Sequence, residues 1–319
     1  MGALKYSIVV PVYNNEVSIP RLLAAMEGIS DALPGDLEVV FVVDGSPDRS
    51  FELIRDSLSR VRYNCQLLAH SRNFGSFAAI RSGLTSADGD YFAVMAADLQ
   101  EPPALLLDFF KALNAAECDV AIGVRQKRND PRWSQLSSLL FWRLYRRWIM
   151  PEMPEGGVDV FGCNRVFRDH LLKLEEARSS LVALIFWLGF RRKFFPYERR
   201  SRQEGRSSWT LAKKIDYMLD SIFSFTDYPI RFLTRVGAMG TILSATGSLI
   251  VVLGRLLGLI EIPGYSALMI AIMFWGAINL LGLGLVGTYA WRTYENSKQR
   301  PPAIVAMRYT NYGGKEHDS

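Results

Sequence analysis

Apolar residues in the first 125 positions switch repeatedly between short continuous runs and a period near 3.6. Tyr6 to Val12 is a β-branched run with a proline near its end, and Ile19, Leu22, Leu23 and Met26 then recur at helical spacing. Leu37 to Val43 predicts a second buried strand, followed by the turn residues Asp44, Gly45 and Ser46 and a helix carrying Phe51, Ile54 and Leu58. Cys65 to Ala69, Tyr91 to Met95 and Asp119 to Val124 predict three more strands, separated by helices over Ser76 to Leu84 and Ala104 to Ala115. Strands that alternate with crossover helices imply an α/β fold with a parallel sheet and helices on both faces. Ligands of such sheets bind outside the C-terminal strand ends. Polar clusters fall at three of those ends: Pro11 to Asn15, Asp44 to Asp48 and Asp98 to Glu101.

The pattern changes further on. No charge interrupts Val236 to Gly254 or Ile262 to Ala290, and each run approaches or exceeds the roughly 20 residues that cross a bilayer core. Two transmembrane helices are therefore expected, near Thr234 to Leu257 and Ser266 to Trp291. Arg231 and Arg235 precede the pair and Arg292, Lys298, Arg300 and Arg308 follow it. By the positive-inside rule this asymmetry assigns the N-terminal domain and the C-terminal tail to the cytoplasm. Hydrophobic residues make up 49% of the 319-residue chain and the net charge is +5, which suits contact with anionic headgroups. The basic residues cluster beside the apolar runs, which disfavours nucleic acid as a partner. The start, MGALKYSIVVPVYNN, has too short an apolar run for a signal peptide. Cys65, Cys118 and Cys163 form no CxxC pair, so reduced structural thiols are expected.

Tyr91 to Pro103, YFAVMAADLQEPP, concentrates the candidate chemistry. An unpaired buried carboxylate costs several kcal/mol or more, so Asp98, after an apolar strand, must face a crevice, a cation or a partner. Gln100 adds a neutral oxygen ligand, and oxygen donors suit Mg2+ or Mn2+ with phosphates and water completing the shell. Capping of the helix near Pro103 is the alternative role for Asp98. Asp44 suits a base or ribose, with an Asx-turn as its alternative, and Gly45 permits close backbone approach. No GxGxxG or GxxxxGK[ST] stands at these turns, against a dinucleotide oxidoreductase or a P-loop NTPase.

VVPVYNN at Val9 to Asn15, VVDGSPD at Val42 to Asp48, SRNFG at Ser71 to Gly75, AADLQEPP at Ala96 to Pro103, GVR at Gly123 to Arg125 and YERRSRQEGRSSW at Tyr197 to Trp209 occur in this order. Together they resemble the family 2 glycosyltransferases, in particular those acting on polyprenyl phosphates (undecaprenyl or dolichol phosphate). The resemblance implies a GT-A domain over residues 1–205 with an interfacial helix near 133–150, a juxtamembrane amphipathic helix over 206–233, a two-helix transmembrane hairpin over 234–292 and a cytoplasmic tail over 293–319. It implies nucleotide contacts at Pro11, Tyr13, Asp44, Gly45 and Ser46, and a Mg2+ or Mn2+ ion on Asp98 and Gln100. Arg125, Arg132 and Ser207 are implied at the acceptor phosphate, and Asp98, Asp159, Arg199 and Arg202 in catalysis. Implied partners are a nucleotide-sugar donor, polyprenyl phosphate, the bilayer and other copies of the chain, as a tetramer. The implied place is the bacterial inner membrane, multi-pass, with the catalytic domain cytoplasmic.

The chain departs from that pattern. Ala96 stands where the first acid of an Asp-Ala-Asp triplet is usual, Val43 where a second Asp is common, Ser76 where Lys is frequent and Ser208 where Lys or Arg is usual. A metal would then lean more on diphosphate and water.

The implied reaction moves a hexose, most readily from a UDP-sugar, to undecaprenyl phosphate with inversion. Guanidinium forks match the leaving diphosphate. An anionic acceptor needs little help from a base, so Asp159 is assigned to positioning with general-base catalysis as its alternative. Trp133 to Met150, which alternates aromatics with Arg143, Arg146 and Arg147, suits a headgroup-plane helix or core packing. A polysaccharide-extending synthase is disfavoured by the absence of a QxxRW motif. A degenerate membrane scaffold has Ala96 as its best argument.

Overall fold

The computed structural model describes residues 5–125, 146–147, 150–154, 158, 160–174, 180–199, 221–222, 226, 228–257, 265–312 and 315–318. The chain divides into two compact units, Met1–Leu211 with Pro301–Ser319, and Ala212–Arg300.

In the first unit, β1 (Lys5–Val12), α1 (Ile19–Ala32), β2 (Asp36–Val43), α2 (Ser50–Arg55), β3 (Asn64–His70), α3 (Ser76–Ser86), β4 (Tyr91–Val94), α4 (Ala104–Asn114) and β5 (Val120–Arg125) follow the predicted alternation. β6 (Phe161–Asn164), α5 (Arg165–Leu172), α6 (Leu181–Trp187) and β7 (Arg192–Tyr197) come next. After the second unit the chain returns as β8 (Val305–Tyr312) and β9 (Lys315–Asp318).

Among the described residues nine strands form one sheet in the order β7-β5-β6-β4-β1-β2-β3-β8-β9. β1 pairs in parallel with β2 and β4, β2 with β3, and β5 with β7. β6 is antiparallel to both β4 and β5, and β8 is antiparallel to β3. The sheet is thus mixed where a parallel one was expected. Short β6, with its two glycine-and-cysteine central positions, carries no periodic signal long enough to read as a strand.

Because β6 reverses direction between β4 and β5, those two strands run the same way. The C-terminal ends of β1, β2, β3, β4, β5 and β7 therefore share one edge of the sheet, and Val305 at the start of β8 joins them.

The core is built from the inward positions the periodicity marks. Ile8, Val10, Val39, Phe41 and Leu67 are fully buried, with Ile19, Leu22, Met26 and Ile29 of α1 and Leu106, Phe109 and Phe110 of α4 against them. Helices α3 and α5 trade arginines at their ends. Arg168 of α5 donates to the Leu84 and Ala87 carbonyls (both 2.9 Å), and Arg81 of α3 donates to the Leu171 and Leu172 carbonyls (3.3 and 3.1 Å). Cations there satisfy carbonyls that a helix end leaves open. Arg168→Ala is expected to cost about 1.5–3 kcal/mol, seen as a lower urea midpoint at unchanged slope.

The second unit contains α7 (Tyr228–Leu256) and α8 (Tyr265–Ser297). Gly240 of α7 lies directly under the Trp275 indole of α8, so a Cβ there would meet a ring carbon at 1.8 Å.

The expectation of two transmembrane helices is corrected here. Among the described residues no helix is long and apolar enough to cross a membrane. Arg231 and Arg235 stand within the first turns of α7, and Arg292 and Glu295 within the last turns of α8, so charge shortens the apolar part of each helix. The expected multi-pass placement in a bacterial inner membrane, with the catalytic domain cytoplasmic, is corrected with it.

Candidate active site

Three loops at the shared strand edge are tied together by side-chain oxygens. After β1, Asn14 takes a positive φ of 54°, a conformation Asn tolerates better than most residues, and its N–H donates to Ser46 Oγ at 2.8 Å. Ser46 in turn donates to Asp48 Oδ1 at 2.6 Å. Asp48 also accepts from the Glu16 N–H (3.0 Å) and from the Ser50 hydroxyl (2.9 Å). Asp48 therefore knits the loop after β1 to the loop after β2.

Asp44, at the end of β2, ties the second loop to the third. Its Oδ1 accepts from His70 Nδ1 (2.8 Å) and the Phe74 N–H (2.9 Å), and its Oδ2 accepts from the Gly75 N–H (2.7 Å). Gly45 follows with φ 59°, and a Cβ there would meet the Arg72 carbonyl carbon at 2.4 Å. Glycine is required both by that conformation and by the close approach of the SRNFG backbone.

Both carboxylates are held below the usual carboxylate range. For Asp44 burial pushes the pKa up, but the hydrogen bonds from His70, Phe74 and Gly75 outweigh it. For Asp48 burial again pushes up, and Ser46, Glu16 and Ser50 outweigh it. Groups depressed on folding add stability that is complete above the ordinary value near 4 and lost as pH falls through the folded value. Thermal stability is thus expected to hold from neutral pH down to about 5 and to fall below about 4. Asp48→Asn should flatten that fall, and an unchanged slope in melting scans would count against the assignment.

Asp98 follows β4 and is half-buried, and its Oδ1 accepts from the Gln100 N–H at 3.3 Å. Gln100 is buried. Between them Leu99 has φ 55°, an unfavourable conformation for a branched residue that concentrates at functional turns. Among the described residues no three His, Cys, Asp or Glu side chains come together as a metal site. The oxygen-only pair of Asp98 and Gln100 suits a hard cation that takes its other ligands from phosphate and water.

Beside this loop, Pro102, Ala104, Leu105 and Asp108 line a groove of about 520 Å³ with Pro196, Tyr197, Glu198 and Arg199. Arg199 is exposed there. Arg125 ends β5 opposite Tyr197 in register. Tyr13 is 44% exposed and Pro11 half-buried within β1. The strand edge thus gathers Pro11, Tyr13, Asp44, Gly45, Ser46, Asp98, Gln100, Arg125 and Arg199. Asp159, Arg132, Arg202 and Ser207 lie outside the described residues, as do most of the helices expected over 133–150 and 206–233.

Sequence reasoning passed over Asp48, Ser50, His70 and Phe74. The first was inside a quoted motif, yet nothing in spacing reveals that it bridges two loops.

A glycosyl transferase family 2 model matches residues 7–174. The uncharacterized glycosyltransferase YkcC of Bacillus subtilis is 32% identical over 310 residues, covering 96% of this chain and 94% of its own. A bactoprenol glucosyl transferase of Shigella phage SfV is 28% identical, covering 95% and 98%. Glucosyl-3-phosphoglycerate synthase from Mycobacterium tuberculosis, solved with Mn2+, uridine diphosphate and phosphoglyceric acid, is similar in fold with a TM-score of 0.51 at 17% identity, over 69% of this chain and 78% of that one. That likeness supports a GT-A type α/β fold with a mixed sheet. The family model covers more than half of the chain and the relatives nearly all of it, so this protein belongs to glycosyl transferase family 2 and is a glycosyltransferase.

Proposed function

We propose that the chain transfers a single hexose from a nucleotide sugar, UDP-linked by preference, to the phosphate of a polyprenyl phosphate, with inversion. The observation that carries the reading is the gathering of its motif residues on one sheet edge, in a chain whose near-full-length relatives include bactoprenol glucosyl transferases. Tyr13 and the loop from Asp44 to Ser46 receive the nucleotide, where exposed aromatic and backbone groups face outward. Asp98 and Gln100 would hold a Mg2+ or Mn2+ ion, in keeping with the Mn2+-bound synthase of similar fold. Such an ion, when bound, offsets the charge that grows on the leaving diphosphate.

Arg199 supplies further positive charge from the groove wall, and Arg125 orients the acceptor phosphate. The remaining assignments, Arg202 to the leaving group and Arg132 and Ser207 to the acceptor, rest on the motif alone; Asp159 positions the acceptor or acts as its base. Because a phosphate monoester is already anionic at neutral pH, the site needs no strong base, and Asp159→Asn is expected to impair transfer less than loss of Asp98. An acceptor of this kind resides in a bilayer. The exposed apolar side chains of α7 and α8, such as Leu256 (78% exposed) and Leu280 (72%), support contact with lipid or with further copies of the chain.

UDP release with and without undecaprenyl phosphate tests the reading. Release that rises by orders of magnitude when the lipid phosphate is added supports it, and release independent of the lipid overturns it.

A further inference from the structure

His70 lies outside every role assigned above, yet both of its ring nitrogens are bonded. Its side chain is fully buried. Nδ1 is 2.8 Å from Asp44 Oδ1 and Nε2 is 2.9 Å from Ser82 Oγ on α3. The pairing of β3 with β8 shifts register between Ala69 and His70, a bulge of the kind that re-aims a side chain. The ring meets Phe74 edge-on at 5.6 Å, and the exposed Arg72 guanidinium lies over the same Phe74 ring, 4.0 Å from its centroid.

A carboxylate accepts only, so the proton between Asp44 and His70 sits on Nδ1, and Nε2 pairs with the Ser82 hydroxyl. This tautomer makes a chain from α3 to the SRNFG loop: Ser82 orients the ring, the ring orients the Asp44 carboxylate, and that carboxylate fixes the N–H groups of Phe74 and Gly75. We propose that His70 is a positioning residue of the donor site, which sets the loop over residues 72–75 through Asp44 and so presents Arg72 and the Gly45 turn to the nucleotide sugar. This rests on the proposed donor site and adds a residue that no motif of the resemblance contains.

Two substitutions separate the ring's two bonds. Asn at position 70 has its amide nitrogen about where Nδ1 stands and retains donation to Asp44. Gln extends to the place of Nε2, keeps a partner for Ser82 and withdraws the donor from Asp44.

With full-length protein, UDP-hexose as donor and undecaprenyl phosphate in vesicles, His70→Gln is expected to raise the donor KM roughly tenfold or more, the scale of one charge-assisted hydrogen bond. Its kcat and acceptor KM should change much less, and His70→Asn should stay within about threefold of the parent. Circular dichroism melts establish that both variants are folded. A folded His70→Gln protein with unchanged donor KM overturns the positioning role, as does an equal loss of kcat in both variants at constant donor KM. If His70→Gln does not fold, a raised donor KM in Ser82→Ala supports the role and an unchanged one overturns it. A parent protein that does not consume UDP-hexose would instead refute the proposed donor site itself.

Discussion

Asp98→Asn is expected to lower turnover by about 10²–10³-fold, the range seen when one transition-state-stabilising group is removed, with a folded protein and a nearly unchanged melting temperature. The argument rests on how few oxygen ligands the site owns. Ala96 carries none, and Gln100 contributes only a neutral amide oxygen. Asn keeps the shape of Asp98 and can still accept from the Gln100 N–H at the position of Oδ1, so the turn after β4 survives. What disappears is the negative charge that a hard divalent cation requires. Steady-state rates over a Mg2+ and Mn2+ titration check this: the loss should persist at saturating metal if charge neutralisation in the transition state is at stake. Near-parental turnover at every metal concentration would remove Asp98 from the chemistry.

Asp44→Ala is expected to be the most damaging single change to the fold of the edge. It strips the partner from His70 and from two backbone N–H groups at once, and each buried donor left without an acceptor costs about 1–3 kcal/mol. The losses are not additive within one network, so a total near 3–5 kcal/mol is expected, a large share of the 5–15 kcal/mol that holds a typical domain together. For a domain of this size that corresponds to a melting temperature lower by roughly 10 °C. Asp44→Asn, which keeps one accepting oxygen, should lose about half as much. Calorimetry on the two variants decides the matter, and equal melting temperatures for Asn and Ala would show that Asp44 does not anchor the loop through its carboxylate.

The alternation of strands and helices up to β5 was legible because each strand is a compact β-branched or apolar run and each helix has a one-sided apolar face, as in α1 and α4. The later strands were not. β7, RKFFPY, is an edge strand with outward Lys193 and Phe194, and an edge strand carries charge where a central strand carries valine. β8 comes from a segment far along the chain whose pairing with β3 depends on a return that local pattern cannot announce. That return also explains why Arg308, counted in the sequence as a flanking charge of an apolar hairpin, instead donates to Ser86 Oγ at 2.8 Å.

At the site, Asp44, Gly45 and Asp98 could be picked out because an acid or a glycine directly after a buried strand has few structural uses. Their partners could not. His70 stands one place beyond the strand expected over Cys65 to Ala69, and its bonds to Asp44 and Ser82 span 26 and 12 positions. The apolar runs after residue 230 led to an expectation of two spans, whereas among the described residues no helix is long and apolar enough to cross a membrane.

Mass spectrometry of the lipid product made by the full-length chain from UDP-hexose and undecaprenyl phosphate bears most directly on the central claim. The expected product is the lipid phosphate heavier by one hexose, joined through a single phosphate, cleaved by mild acid and not extended at any donor excess. A lipid carrying two or more sugars, a pyrophosphate linkage, or sugar transferred to a free saccharide in place of the lipid would contradict it.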